Sequence, residues 1–438
     1  MDGHGVSRKG MIAAVYWVLL CAAALQGSVA DIPRFWKKSV SRVGSSFVLP
    51  LSGNVYPLGY YSVSLSIGHP AKAFDLDIDT GSDLTWVQCD APCSGCTKPL
   101  NSLYKPNNNL MHCENPLCAA INTSGNQPCK TPSDQCDYEV EYADQGSSLG
   151  VLVNDYFSLK LLNGSLVSPR LAFGCGYDQH FPVNTPPPPP TAGVLGLGNG
   201  KASIISQLSN LSVIRNVLGH CLSARGGGFL FFGDDLVPSS KIAWVSLSAS
   251  SSDKHYAAGP AELLYNDKPT GVKGLKVVFD SGSSYTYLNS KAYQAVLNQV
   301  RADLKGKPLK DAVEDKSLPI CWKGAKPFKS VHEVKNHFKP LQLNFGKGNA
   351  QLQLLPEAYL IVTKHGNACL GILNGGEMRL GELNLIGDIS MQDKMVIYDN
   401  EKKQIGWVTA DCDRLPNADR DYNGDFSEPY AADFGILR

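Results

Sequence analysis

The stretch YYSVSLSIGHP, residues 60–70, alternates apolar and polar side chains before closing on Gly and Pro. A period of two with that ending predicts a half-buried strand and its turn. An apolar run then breaks at an acidic turn, LDIDTGSDLTWV over 76–87. CDYEVEYADQGSSLGVLV, 136–153, predicts two strands around a loop rich in Gly and Ser, a hairpin. GVLGLGNG, 193–200, predicts an apolar strand closed by glycines. Five consecutive prolines within 180–192 cannot sit inside a sheet and predict a surface loop.

The second half replays the first in outline. Strands are expected from Phe229, then a second acidic turn, VVFDSGSSYTYL over 277–288, with Asp280 lying 201 positions after Asp79. A helix is expected over 290–304 and a closing strand at NLIGDI, 384–389. Val194-Leu195-Gly196 and Leu385-Ile386-Gly387 form a further matched pair. The pattern is an internal duplication of diverged lengths, not a short-period solenoid. SARGGG at 223–228 marks the expected boundary between the halves.

Composition agrees with two lobes. A chain of 438 residues with 43% hydrophobic and 18% charged residues is globular and long enough for two cores. Forty-two glycines, 27 prolines and many short Val/Ile/Thr/Tyr-rich runs favour a mostly β protein. The 40 basic and 40 acidic residues cancel, so nothing points to a nucleic-acid partner.

The N-terminus reads as a secretion signal over 1–30. Arg8 and Lys9 precede an apolar run over 11–25, and Ser28-Val29-Ala30 offers small residues for cleavage. A membrane anchor is the competing reading, but that run is shorter than the roughly 18 residues a span needs. Residues 31–54 would be a short leader or propeptide, and 413–438 a polar tail. Localisation is therefore expected in the secretory pathway, ending outside the cell in the apoplast or in the vacuole, with no transmembrane span in the mature chain. Thirteen cysteines include Cys21, which leaves with the signal, so twelve remain for disulfides in an oxidising compartment. Zinc is the rival reading of Cys89, Cys93 and Cys96, but secretion favours disulfides. Sequons at Asn122, Asn163 and Asn210 fit the same route as glycosylation sites.

A duplicated Asp turn makes chemical sense if a pseudo-twofold axis brings the copies together. Two carboxylates a few ångströms apart cannot both ionise cheaply, so they share one proton. The ionised member then takes a proton from water while the protonated one polarises a carbonyl, which is hydrolysis by general acid–base catalysis without metal or cofactor. Gly81 and Gly282 would let backbone approach the pair closely, and Ser82 and Ser283 could donate hydrogen bonds to it. The bland alternative is two solvated turns that merely look alike; the apolar flanks of both speak against it.

Asp79-Thr80-Gly81-Ser82 and Asp280-Ser281-Gly282-Ser283, each followed later by an apolar-apolar-Gly strand, resemble the two halves of a pepsin-like aspartic protease. The cysteine-rich insert, together with FGCGYDQ, GHCL, GNACLG and MVIYDNEKKQIGWV, is similar to the plant nepenthesin-like and nucellin-like branch. The resemblance implies an all-β, bilobal pepsin-like fold with short helices and pseudo-twofold related lobes. An N-terminal lobe would span 55–224, with the first Asp, the insert and a flap, and a C-terminal lobe 225–412. It implies a monomeric endopeptidase acting on polypeptides at acidic pH, with Asp79 and Asp280 catalytic. Tyr142 matches the flap tyrosine and Trp86 the tryptophan behind it; Ala143 stands where the family usually has Gly. It further implies the disulfides Cys89–Cys93, Cys96–Cys175, Cys113–Cys136, Cys118–Cys129, Cys321–Cys369 and Cys221–Cys412.

Two other motifs compete for attention. GSSLG, 146–150, fits a nucleophile elbow around Ser148 but lies in the expected flap hairpin. GLGNGK, 196–201, resembles a phosphate loop yet fits neither common spacing. An alternative function on the same fold is a catalytically weak binding or inhibitor protein. A cysteine-rich adhesion module leaves the repeated Asp turns unexplained.

Overall fold

The computed structural model describes residues 45–121, 129–181, 188–248, 254–346 and 350–415. The expected signal, most of the leader, most of the C-terminal tail, Asn122 and part of the proline loop lie outside them.

The duplication is written into the strand pairing. The strand Lys72–Asp79 runs parallel to Gly193–Gly196, with Asp79 opposite Gly196. The chain then turns through Thr80-Gly81-Ser82 into Trp86–Gln88, which lies antiparallel to Gly193–Gly196 and parallel to Arg170–His180. In the second half, Leu275–Phe279 runs parallel to Asn384–Ile386. Thr286–Leu288 lies antiparallel to that strand and parallel to Ile372–Asn374. The wiring is the same twice. Such parallel strands are buried on both faces, which is why Leu76, Ile78, Leu195, Val277, Phe279 and Ile386 are apolar and sealed from water.

A shared sheet underlies both copies. Val217–Leu222 is paired on one side with Gly228–Phe232 and on the other with Lys394–Asp399. SARGGG is thus the turn of a hairpin inside this sheet rather than a linker; Gly226, Gly227 and Gly228 take the left-handed φ values of 97°, 75° and 129° that such a reversal needs. Phe47–Asn54 also belongs here, pairing with Gly228–Phe232 and with Tyr60–Ile67, and Phe47 stacks on Phe232 at 4.6 Å. Residues 47–54, placed in the leader by sequence, are therefore an integral strand. Their longer pairing, with Gly228–Phe232, joins segments far apart along the chain.

The helix Ser290–Leu304 forms as expected, with Asn289 capping it by accepting from the Ala292 N–H at 3.0 Å. The closing strand is shorter than expected: it stops at Ile386, and Asp388–Met391 coils into one helical turn after Gly387.

All twelve cysteines among the described residues are in disulfides. Cys221–Cys412 and Cys321–Cys369 join the pairs that the resemblance implied. The four first-half pairings differ: the bonds are Cys89–Cys175, Cys93–Cys96, Cys113–Cys129 and Cys118–Cys136. The reason is strand register. Val87 lies opposite Cys175, so Cys89 at the end of the same strand meets Cys175, with Cα atoms 5.3 Å apart. Cys93 and Cys96 are left to close their own turn. Cys118 and Cys136 are both fully buried in a small core with Met111 and Tyr138, which leaves the outer Cys113 to Cys129.

Candidate active site

Each acidic turn begins where a buried parallel strand ends, so both Asp side chains leave rigid β-structure at matched places. The turns are clasped to each other. The Thr80 N–H donates to Ser281 Oγ at 3.1 Å and the Ser281 N–H to Thr80 Oγ1 at 2.9 Å. Thr80 Oγ1 donates to the Phe279 carbonyl at 3.0 Å and Ser281 Oγ to that of Ile78 at 3.1 Å. Both hydroxyl residues are buried, so neither bond competes with water.

The clasp brings Asp79 and Asp280 into hydrogen-bonding contact. The glycines permit it reciprocally: a β-carbon on Gly81 would overlap the Asp280 carboxylate, and one on Gly282 would overlap that of Asp79. The Gly81 N–H donates to Asp79 Oδ1 at 2.8 Å and the Gly282 N–H to Asp280 Oδ1 at 3.0 Å.

Beyond these bonds the symmetry fails. Ser82 Oγ donates to Asp79 Oδ2. Ser283, expected to do the same for Asp280, instead donates to the Tyr285 carbonyl at 3.2 Å. Burial raises the pKa of both carboxyls; hydroxyl and amide donors pull Asp79 back, whereas the charge of Asp79 drives Asp280 further up. The extra donor from Ser82 favours the anion at Asp79, and the charge of Asp79 favours the proton on Asp280.

The expected flap is the hairpin of Asp137–Glu141 and Ser147–Lys160. At its tip the Tyr142 N–H donates to the Gly146 carbonyl at 2.9 Å, and Trp86 Nε1 donates to the Tyr142 hydroxyl at 2.6 Å. Burial and the charge of Asp79 raise the Tyr142 pKa. Ala143 is harmless there, because the left-handed residue of the tip is Gln145, φ 73°.

Ser148 is fully buried and hydrogen-bonded to the Tyr138 hydroxyl at 3.0 Å, so it is no exposed nucleophile. The glycine-rich 196–201 loop supports the first turn instead of a phosphate: the Leu197 N–H donates to the Asp79 carbonyl and the Gly198 N–H to that of Ser82, both at 2.7 Å. Asn163 and Asn210 are exposed.

Two further carboxylates were missed by sequence. Asp388 is 1% exposed, and its pKa is raised by burial and by the charges of Asp280 and Asp79. Asp77 accepts from Thr191 Oγ1 at 3.1 Å, and burial pushes it up to about 7. The signal for Asp388 lay in the repeat itself: Gly196 is followed by Leu197, but Gly387 by an acid.

An aspartic proteinase of Oryza sativa subsp. japonica is 45% identical over 387 residues, spanning 86% of this chain and 93% of the relative. The chain belongs to the aspartic proteinase family. As a member it is an aspartic-type endopeptidase of the pepsin-like fold. Family profiles described as "Xylanase inhibitor N-terminal" and "Xylanase inhibitor C-terminal" match residues 61–234 and 259–409 of this aspartic proteinase. Aspartic proteinase nepenthesin-1 of Nepenthes gracilis is 26% identical over 383 residues, 81% of this chain and 78% of its own. Among solved structures, basic 7S globulin from soybean superposes with a TM-score of 0.65 at 20% identity, covering 85% of this chain and 99% of that one. An aspartic proteinase from Irpex lacteus gives 0.58 at 16%, covering 84% and 98%.

Proposed function

We propose that this aspartic proteinase is a secreted, monomeric endopeptidase that works at acidic pH through a water held between Asp79 and Asp280. The asymmetry of the pair carries the reading. Asp79, stabilised as the anion by Ser82 and the Gly81 amide, takes a proton from the water as the oxygen adds to the scissile carbonyl carbon. Asp280 passes its proton to the carbonyl oxygen, giving a tetrahedral diol. Asp79 then returns its proton to the amide nitrogen, the C–N bond breaks, and Asp280 recovers a proton from the diol. Trp86 and Tyr142 would close the cleft over the substrate backbone.

The disulfides and the N-terminal sequence support passage through the secretory pathway to the cell exterior or the vacuole. The xylanase-inhibitor descriptions of the matching profiles favour one rival, a binding protein on this fold. Both aspartates, their clasp and the flap tyrosine weigh against it. The deciding experiment incubates the purified mature chain with a denatured protein across pH, with and without pepstatin. Cleavage below neutral pH that pepstatin abolishes supports the enzyme; no cleavage, or cleavage indifferent to pepstatin, overturns it.

A further inference from the structure

Tyr256 stands just before the strand Ala257–Tyr265, which runs antiparallel to Leu275–Phe279. Ala257 pairs with Val278, so Tyr256 is level with Phe279, and its carbonyl accepts the Phe279 N–H at 3.1 Å. Phe279 is the residue before Asp280, and its own carbonyl accepts from Thr80 Oγ1. The Tyr256 side chain reaches toward the first half. Its hydroxyl donates at 2.9 Å to the carbonyl of Leu197, whose N–H donates to the Asp79 carbonyl at 2.7 Å. One residue thus bonds to the backbone supports of both aspartates.

The direction of the phenol bond is fixed. A carbonyl can only accept, so the Tyr256 proton goes to Leu197, while Asn400 Nδ2 donates to the phenol oxygen at 3.3 Å. Tyr256 and Leu197 are both fully buried, so bulk water does not compete for the bond. The Tyr398 ring, 4.3 Å from that of Tyr256, packs against it. Two residues earlier, the Lys254 carbonyl accepts the Asn199 N–H at 2.8 Å, and Lys254 Nζ lies 3.3 Å from Asp83 Oδ1. From the second half, Lys254 and Tyr256 grip 197–199, the loop that supports the first acidic turn.

Tyr61 is the match of Tyr256 in the first half. Ser62 pairs with Asp77, which puts Tyr61 level with Ile78, as Tyr256 is with Phe279. Tyr61 is also buried, and its hydroxyl also donates to a carbonyl at 2.9 Å and accepts from a side-chain amide, Gln392 Nε2 at 3.0 Å. That carbonyl, however, is Ser223, in the hairpin of the shared sheet. The same residue type at the same place in the repeat serves two different partners.

We infer that Tyr256 is a positioning residue that holds the Asp79 and Asp280 turns in register through its hydroxyl and its carbonyl, by a route separate from the clasp. The inference rests on the reading of Asp79 and Asp280 as the reacting pair. The clasp acts one residue beyond each aspartate, at Thr80 and Ser281. Tyr256 acts at Asp79 itself, through Leu197, and just ahead of Asp280, through Phe279. Two attachments resist a swivel that one permits.

The test compares Tyr256→Phe with Tyr61→Phe on an internally quenched peptide at acid pH, with melting temperatures alongside. Each change removes one buried hydroxyl and keeps the ring, so the stability losses should be similar. Tyr256→Phe should lower kcat about tenfold with KM within a factor of two, because substrate contacts stay while the reacting pair loosens. Tyr61→Phe should keep kcat within about a factor of two. The basic limb of the Tyr256→Phe pH profile should also move to lower pH, since carboxyls held less closely release their shared proton more readily. Wild-type kcat or an unmoved limb in Tyr256→Phe, or equal kcat losses in the two variants, overturns the inference. Hydrogen exchange provides an arm independent of turnover. Protection of the Leu197 amide should fall about tenfold in Tyr256→Phe and hold in Tyr61→Phe. Unchanged protection in Tyr256→Phe refutes the brace even if the dyad reading itself fails.

Discussion

Trp86 and Tyr142 are joined by a 2.6 Å hydrogen bond from indole N–H to phenol oxygen, across 56 residues of sequence. The bond ties the hairpin tip to the strand that follows the first acidic turn. Trp86 is held by its register opposite Val194, within the matched Gly193–Gly196 strand's pairing, so the tyrosine is anchored to the strand that follows the first acidic turn. Replacing Tyr142 with Ala should lower kcat/KM on the order of a hundredfold, with the remaining chemistry still pepstatin-sensitive. Tyr142→Phe should be milder, because the ring stays. A Tyr142→Ala enzyme that melts early but cleaves normally would make this a packing residue only.

Asp79→Asn and Asp280→Asn should each reduce turnover by at least about a thousandfold, since neither carboxyl serves as both acid and base. The fold should survive, because the clasp uses Thr80 and Ser281 rather than the carboxylates. Circular dichroism and a peptide assay on the same preparations check both halves of the claim, and substantial activity in either variant would refute it.

Ser82→Ala removes a donor to the Asp79 anion, so the Asp79 pKa should rise. The acid limb of the kcat/KM profile should move upward by about one pH unit. Ser283→Ala should leave that limb in place, because its hydroxyl serves the Tyr285 carbonyl. A shift in both, or in neither, contradicts the asymmetry.

Stability should fall as pH rises from the mildly acidic range. Asp77, Asp79, Asp280 and Asp388 all have pKa values raised by burial, so the folded state binds more protons than the unfolded one. Their contribution is fully present below the ordinary carboxylate pKa and is lost as pH climbs through the raised values, to about 7 for Asp77. Melting temperature should therefore be higher at pH 5 than at pH 8. Asp77→Asn should flatten that slope, by on the order of a few kcal/mol across the interval. A stability that climbs steadily toward pH 8 would count against these buried groups.

The wiring of the repeats was legible because each copy announces itself locally: an apolar run, an acidic turn, and an apolar-apolar-Gly strand. The pairing of Cys89, Cys93, Cys96 and Cys175 was not, because which of these thiols meet is decided by the register of Trp86–Gln88 on Arg170–His180, a contact between segments some 90 residues apart. The role of Ser283 failed for a related reason. Identical residue types in two turns receive different neighbours, and the short helix at Asp388 exists in only one half.

Peptide mapping without reduction should recover Cys89–Cys175 and Cys118–Cys136, the bonds that separate the observed set from the expected one. Fragments linking Cys89 to Cys93 would restore the family-based pairing. Replacing Cys221 and Cys412 together should cost about 3–5 kcal/mol, the loop-closure entropy of a long crosslink.

The pairing of Phe47 with Phe232, and of Cys221 with Cys412, also imposes an order on synthesis. At a translation rate of about 5–20 residues per second, the first strand waits roughly 10–40 s for its partner to be made. Val217–Leu222 then waits as long again for Lys394–Asp399, with one edge unpaired. A growing chain in that state exposes a template for adding foreign strands. The newborn protein is thus most vulnerable while its second half is being made, and cells making it should need a folding helper at that stage more than at any other.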